Sequence, residues 1–178
     1  AALPHRQKTA SGDRISSMAD ASFIVEGGKP LSGSIRTNRS KNGAVALLAA
    51  SLLTTGKTTL RNMPKIEEVN RLIEVLVSIG VEATWDDHDL TLVQPKDMTL
   101  DNLDRKAAER TRSILMFVGS LIHRFDSFYL PQSGGCTLGL RSVRPHLWAL
   151  EKFGVSIGAT TDRFPVSHKG LAPAEVVF

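Results

Sequence analysis

Lys57-Thr58-Thr59-Leu60-Arg61-Asn62-Met63-Pro64-Lys65-Ile66-Glu67-Glu68-Val69-Asn70-Arg71-Leu72-Ile73-Glu74-Val75-Leu76-Val77-Ser78-Ile79-Gly80-Val81 is the stretch whose reading decides the fold. Lys57 to Arg61, rich in β-branched residues, reads as a strand. From Pro64, suited to a first helical turn, Ile66, Val69, Leu72, Ile73, Leu76 and Ile79 keep helical spacing until Gly80 stops the run. Val81 to Trp85 and Leu90 to Val93 then predict a hairpin around Asp86-Asp87-His88-Asp89. On the other side, Ser40 is a plausible N-cap and Gly56 a terminator for a helix built on Ala44 to Leu53. That helix is apolar on nearly every face and is expected to lie deep inside. Further back, Phe23 to Val25 and Gly33 to Arg36 read as short strands split by Gly27-Gly28-Lys29-Pro30. The predicted unit is β-α-β-α-β-β.

The same order recurs. A helix from about Arg105 to Ile122, a strand Ser127 to Leu130, a helix from about Val143 to Phe153 stopped by Gly154, and strands on either side of Thr160 to Arg163 follow one another. Ser51-Leu52-Leu53 corresponds to Ser120-Leu121-Ile122 at an offset of 69, and Ile79-Gly80-Val81 to Phe153-Gly154-Val155 at an offset of 74. The later copy therefore holds five extra residues between its strand and its second helix, in the region of Ser133-Gly134-Gly135-Cys136-Thr137-Leu138-Gly139. Repetition predicts an α/β fold made by stacking similar units. A glycine-rich insertion points to function on that loop.

Composition narrows the class. The chain has 178 residues, 42% hydrophobic and 22% charged, with 14 Gly and 8 Pro, which describes a globular chain and excludes fibrous and disordered ones. Residues 1–21 are small and polar and read as a disordered tail, with 22–178 as the folded part and Met18 a candidate natural start. No apolar run approaches the roughly 18 residues that span a bilayer, and no signal core is seen, so no membrane association and a cytoplasmic location are expected. One cysteine excludes an internal disulfide, and five scattered histidines offer no zinc spacing. The net charge of +4 is too small to argue for nucleic acid. Its distribution is more telling: Gly27 to Ile66 holds seven basic residues and no acid, and Ser127 to Leu150 holds Arg141 and Arg144 and no acid. Such stretches suggest a small anionic ligand.

Two tempting motifs fail on their chemistry. Gly56-Lys57-Thr58 has Ser51 where a phosphate-binding loop needs glycine and a strand where it needs a helix. Asp86-Asp87-His88-Asp89 is better read as a solvated hairpin tip than a metal site. Lys41-Asn42, just inside the N-terminus of an apolar helix, is a stronger candidate. Unpaired backbone N–H groups there favour phosphate or carboxylate, and a Lys opposes the helix dipole, a poor choice for stability alone. Arg112 opens the second copy's apolar helix near the place Lys41 occupies in the first, so both could face one anion; pairing with Glu109 is the plainer alternative. Cys136, among glycines with Arg141 and Arg144 behind it, is either a thiolate-prone reactive residue or an inert one.

Together these residues carry a resemblance. From Phe23 onward, with Ser40-Lys41-Asn42 before an Ala-rich helix, Asn62-Met63-Pro64, Thr111-Arg112-Ser113, Leu130-Pro131 and Gly134-Gly135-Cys136-Thr137-Leu138-Gly139, the chain resembles the N-terminal part of the enolpyruvyl transferases that act on UDP-N-acetylglucosamine. The sister enzymes acting on 3-phosphoshikimate carry Lys-Ser at the first site and a Gly-Asn-x-Gly-Thr loop at the second, and this chain has neither.

The resemblance implies an inside-out α/β barrel of repeated units, incomplete here, and transfer of enolpyruvyl from phosphoenolpyruvate to the sugar 3-hydroxyl, the first committed step of peptidoglycan precursor synthesis. It implies no metal and no organic cofactor. By position, Lys41 and Asn42 would bind phosphoenolpyruvate, Arg112 the nucleotide sugar, Cys136 would donate a proton to C3, Arg141 would help hold both substrates, and Val143 would lie against the nucleotide. One departure concerns the nucleotide: the family's loop arginine is usually followed by Pro-Val-Asp-Leu-His, and here by Ser142-Val143-Arg144-Pro145-His146. Uracil is then read by backbone groups, or Arg144 meets phosphate, or the nucleotide preference differs. The other departure is length: the family has two domains of three units each, whereas this chain reads as two units and a strand-like stub, Ala174 to Phe178, so a further C-terminal half is expected to be required for activity, and a non-catalytic fragment that binds anions is the rival reading.

Overall fold

The computed structural model describes residues 24, 27–28, 30–132, 143–158 and 160–177. The chain divides into two compact units, Ala1–Arg36 and Thr37–Phe178. In the first, the described residues form no helix or strand. The strand expected over Gly33 to Arg36 is therefore absent: a strand exists through its ladder, and no described residue pairs with this segment. The strand expected over Phe23 to Val25 lies largely outside the described residues.

The second unit holds both copies of the repeat. In copy one, helix α1 (Lys41–Ser51) leads to strand β1 (Lys57–Leu60), helix α2 (Glu67–Ser78) and the hairpin β2 (Glu82–Asp86) and β3 (Asp89–Val93). In copy two, helix α3 (Arg105–Glu109), a 3-10 segment (Arg112–Phe117) and helix α4 (Val118–Leu121) lead to β4 (Ser127–Pro131), α5 (Arg144–Lys152), β5 (Val155–Ile157) and β6 (Arg163–His168). The sheets have orders β1-β3-β2 and β4-β6-β5, with every pairing antiparallel. Since β1 and β2 both oppose β3, they are parallel to each other, and α2 is the crossover between them. Copy two repeats this wiring with α5. The α/β fold built on repetition, read from the two offsets, is the fold observed.

Each copy ends its crossover helix in the same way. Gly80 and Gly154 adopt φ of 99° and 89°, the left-handed conformation that suits glycine at a helix terminus. Val81 N–H then donates back to Leu76 C=O at 3.0 Å. Beneath β1–β3, α2 buries Val69, Leu72, Val75 and Leu76, which meet Leu60, Leu90 and Leu92 of the sheet in one continuous core. Each such side chain contributes about 1.5–3 kcal/mol through burial.

Three local expectations need correction. The α1 helix is not buried on every side: Ala44, Val45, Leu48 and Ala49 face the core, while Ala46 and Ala50 are exposed and Leu47 is 49% exposed. Its neighbours α2, the 3-10 segment and α4 cover one flank only. Helix α2 begins at Glu67 rather than at Pro64. Met63 N–H donates to His88 C=O at 2.7 Å, Asn62 N–H donates to the Asp89 carboxylate at 2.8 Å, and Ile66 is still extended. The hairpin tip is thus more than a solvated turn, because Asp89 and His88 hold the segment after β1 out of the helix.

The third correction is the single helix expected from Arg105 to Ile122, which is broken at Arg110–Thr111. Thr111 is extended at φ −132°, ψ 130°, and its hydroxyl accepts from Ser113 N–H at 3.2 Å. A local side-chain cap of this kind competes with helix continuation.

Candidate functional site

The two copies meet where their leading helices begin. Ser40 caps α1, its hydroxyl accepting from Asn42 and Gly43 N–H at 3.2 and 3.1 Å, and Lys41 is the first helical residue. Thr111 caps the 3-10 segment, and Arg112, half-buried, is its first residue. A hydroxyl cap followed by a cation therefore opens both copies. Between them stands the first turn of α2. Its Glu68 carboxylate forms an ion pair with Lys41, accepts from the Thr111 hydroxyl at 3.0 Å and accepts from the Ser113 hydroxyl. One carboxylate thus joins Lys41 to the residues on both sides of Arg112.

Burial pushes the Glu68 carboxyl pKa up, but hydrogen bonds from Lys41, Ser113 and Thr111 and the Lys41 charge outweigh it, holding the pKa below the usual carboxylate value. Glu109, the plainer partner considered for Arg112, lies 3.7 Å from Arg105. Asn42 is exposed beside Lys41. Val143 is the N-cap of α5 and packs partly buried against the core. Cys136 and Arg141 lie outside the described residues.

Two further cations of the basic stretch read from the sequence have side-chain partners in copy one. Arg39 donates to the Asn62 side chain and lies 3.2 Å from the His88 ring, and Lys65 sits 5.2 Å over the Trp85 ring. Glu68 is the residue that sequence reasoning missed. The stretch is free of acids along the chain but not in space, because α2 brings Glu68 back to Lys41. The sequence offered no signal: Glu67 and Glu68 stand four and three residues before Arg71, both within pairing reach, and the structure pairs Arg71 with Glu67 and Glu74 at 2.8 and 2.7 Å.

Fold and corner together define an α/β protein of duplicated split β-α-β units that gathers cations at the helix starts. Residues 25–176 match the family profile of EPSP synthase (3-phosphoshikimate 1-carboxyvinyltransferase), and the chain belongs to that family. It is 36% identical over 159 residues to a UDP-N-acetylglucosamine 1-carboxyvinyltransferase of Bradyrhizobium diazoefficiens, covering 89% of this chain and 37% of the relative. It is 30% identical to UDP-N-acetylglucosamine 1-carboxyvinyltransferase 3 of Caldanaerobacter subterraneus, covering 88% of this chain and 37% of that one. The enolpyruvyl transferase NikO from Streptomyces tendae shares the fold, with a TM-score of 0.66 at 23% identity over 83% of this chain and 32% of its own. The chain spans 37% of the length of these two curated relatives. No helix among the described residues is long and apolar enough to cross a membrane.

Proposed function

We propose that this chain forms part of an enolpyruvyl transferase that joins phosphoenolpyruvate to the 3-hydroxyl of UDP-N-acetylglucosamine in the bacterial cytoplasm. The observation that carries the reading is the corner where Lys41 and the flanks of Arg112 share Glu68, in a chain whose relatives bear that activity in their names. Lys41, with Asn42 and the α1 N-terminus, suits the charge of phosphoenolpyruvate. Arg112, at the start of the other copy, suits the nucleotide-sugar side, as does Val143.

In the reaction, the sugar 3-hydroxyl gives its proton to a general base and its oxygen bonds to C2 of phosphoenolpyruvate, while Cys136 delivers a proton to C3, giving a tetrahedral adduct. Loss of a proton from C3 and of phosphate from C2 then leaves the enolpyruvyl ether. Lys41, Arg112 and Arg141 act by stabilising charge that shifts during addition and elimination.

A second reading, transfer to a different nucleotide or acceptor, rests on Arg144. It is the first residue of α5, where helix N–H groups and a guanidinium suit a phosphate better than a uracil carbonyl. Phosphate release by the longer protein of which this chain is part, from phosphoenolpyruvate with a panel of UDP-, dTDP- and GDP-sugars, tests both. Release confined to UDP-N-acetylglucosamine supports the first reading, release with another sugar the second, and none from folded protein contradicts both.

A further inference from the structure

The three acids that begin and follow the first turns of α2 have different tasks. Glu67 and Glu74 clasp Arg71 on the helix's own surface. Glu68 faces the other way, its side chain 20% exposed, with Thr111 and Ser113 hydroxyls on one side and the Lys41 ammonium on the other. Thr111 is itself buried and is fixed as the cap of the 3-10 segment, so the hydroxyl that holds Glu68 has a set position. Glu68 also lies in the first turn of α2, where the helix dipole favours an anion. The carboxylate is thus anchored from three directions, whereas the Lys41 side chain is 55% exposed.

An ammonium has three donors. The contact with Glu68 occupies one and leaves the others for a ligand arriving from solvent. A long side chain held at one point also loses less freedom on binding than a freely rotating one. We propose that Glu68 is a positioning residue for anion capture: it holds the Lys41 ammonium at the corner between the two copies, facing the start of the Arg112 segment, and so preorganises it for the carboxylate or phosphate of phosphoenolpyruvate. The proposal rests on the reading of Lys41 as a ligand to that substrate.

Calorimetric titration of the longer protein of which this chain is part, with phosphoenolpyruvate and with inorganic phosphate as the simpler anion, tests it. Glu68→Ala is expected to weaken binding about tenfold, equivalent to ~1.4 kcal/mol. Glu68→Asp should recover most of the loss. The decisive arm is the double variant Lys41→Ala with Glu68→Ala, which should bind no more weakly than Lys41→Ala, because Glu68 acts through Lys41. A merely structural role would give additive losses. Should Glu68→Ala not fold, Glu68→Gln, which keeps the shape and one acceptor, replaces it with an expected loss of about threefold, or ~0.65 kcal/mol. Lys41-dependent binding that Glu68→Ala or Glu68→Gln leaves unchanged, or additive losses, overturns the positioning role alone. Binding that Lys41→Ala leaves unchanged overturns the substrate reading and the positioning role with it.

Discussion

Copies one and two share their wiring but differ in how they fill it. In copy one the leading helix α1 is continuous, and the crossover helix α2 buries Val69, Leu72, Val75 and Leu76. In copy two the leading helix is broken and partly 3-10, and the crossover helix α5 buries no residue fully, with Trp148 at 40% exposure. The break has a geometric meaning. Lys41 and Ser51 are ten residues apart, while Arg112 and Ser120, their counterparts as first residue and buried serine, are eight apart. A 3-10 helix rises about 2.0 Å per residue against 1.5 Å for an α-helix, so both segments span ~15 Å. Copy two reaches the same distance with fewer residues, and its leading cation keeps its place at the corner. The repeat conserves the geometry of the site end more closely than the way each copy is packed.

The largest expected effect contrasts the crossover helices. Leu72→Ala should cost about 2–5 kcal/mol in chemical denaturation, whereas Leu150→Ala, at a half-buried site on α5, should cost below about 1.5 kcal/mol. Equal losses would break the comparison. Next comes the seam between copies. Arg124 donates to the carbonyls of Leu52 and Thr54 at 2.6 and 2.5 Å, satisfying the C-terminal end of α1 from copy two. Arg124→Ala should cost about 1.5 kcal/mol, the lower end for a charged donor because the guanidinium stays partly in water. Amide exchange at residues 52–54 should accelerate beyond the global change.

The paired serines give a smaller and sharper contrast. Ser51 donates to Leu48 C=O within its own helix at 2.7 Å, but Ser120 donates across the seam to Ala49 C=O at 2.6 Å. Ser120→Ala is expected to destabilise by about 1 kcal/mol and Ser51→Ala by less, since only the former unties two elements. Acid titration should show the smallest effect. The folded-state pKa of Glu68 lies below its unfolded value, so its contribution to stability is present above about pH 4.3 and is lost as pH falls through the depressed value. Glu68→Gln should therefore flatten the acid limb of the stability curve, measured by thermal unfolding between pH 2 and 6. An unchanged limb would contradict the ion pair at the corner.

Much of this was legible in the residues, and the failures share a cause. The matched glycines and serines disclosed the duplication because helix stops and buried hydroxyls are local requirements that repeat with the backbone. Ser40 as a cap and Lys57 onward as a strand are local in the same sense. What escaped was set by contacts distant in sequence. Pro64 looked like a helix start until His88 and Asp89 bound the segment around it. Ala44 to Leu53 looked buried on all faces because the sequence states what a surface can tolerate, not what covers it. Glu68 was hidden because nothing in Glu67-Glu68 distinguishes the acid that turns to Arg71 from the one that reaches Thr111 and Ser113.

The corner joined by Glu68 is proposed to take phosphoenolpyruvate through Lys41, the first cation of copy one, and the nucleotide sugar through Arg112, the first cation of copy two. Nitrogen-15 labelling of lysine and arginine side chains in the longer protein of which this chain is part follows Lys41 Nζ and Arg112 Nε in one titration, first with phosphoenolpyruvate and then with UDP-N-acetylglucosamine. Lys41 is expected to shift along the phosphoenolpyruvate curve and Arg112 along the nucleotide-sugar curve. A Lys41 resonance that phosphoenolpyruvate leaves unmoved, or an Arg112 resonance that the nucleotide sugar leaves unmoved, would contradict the assignment.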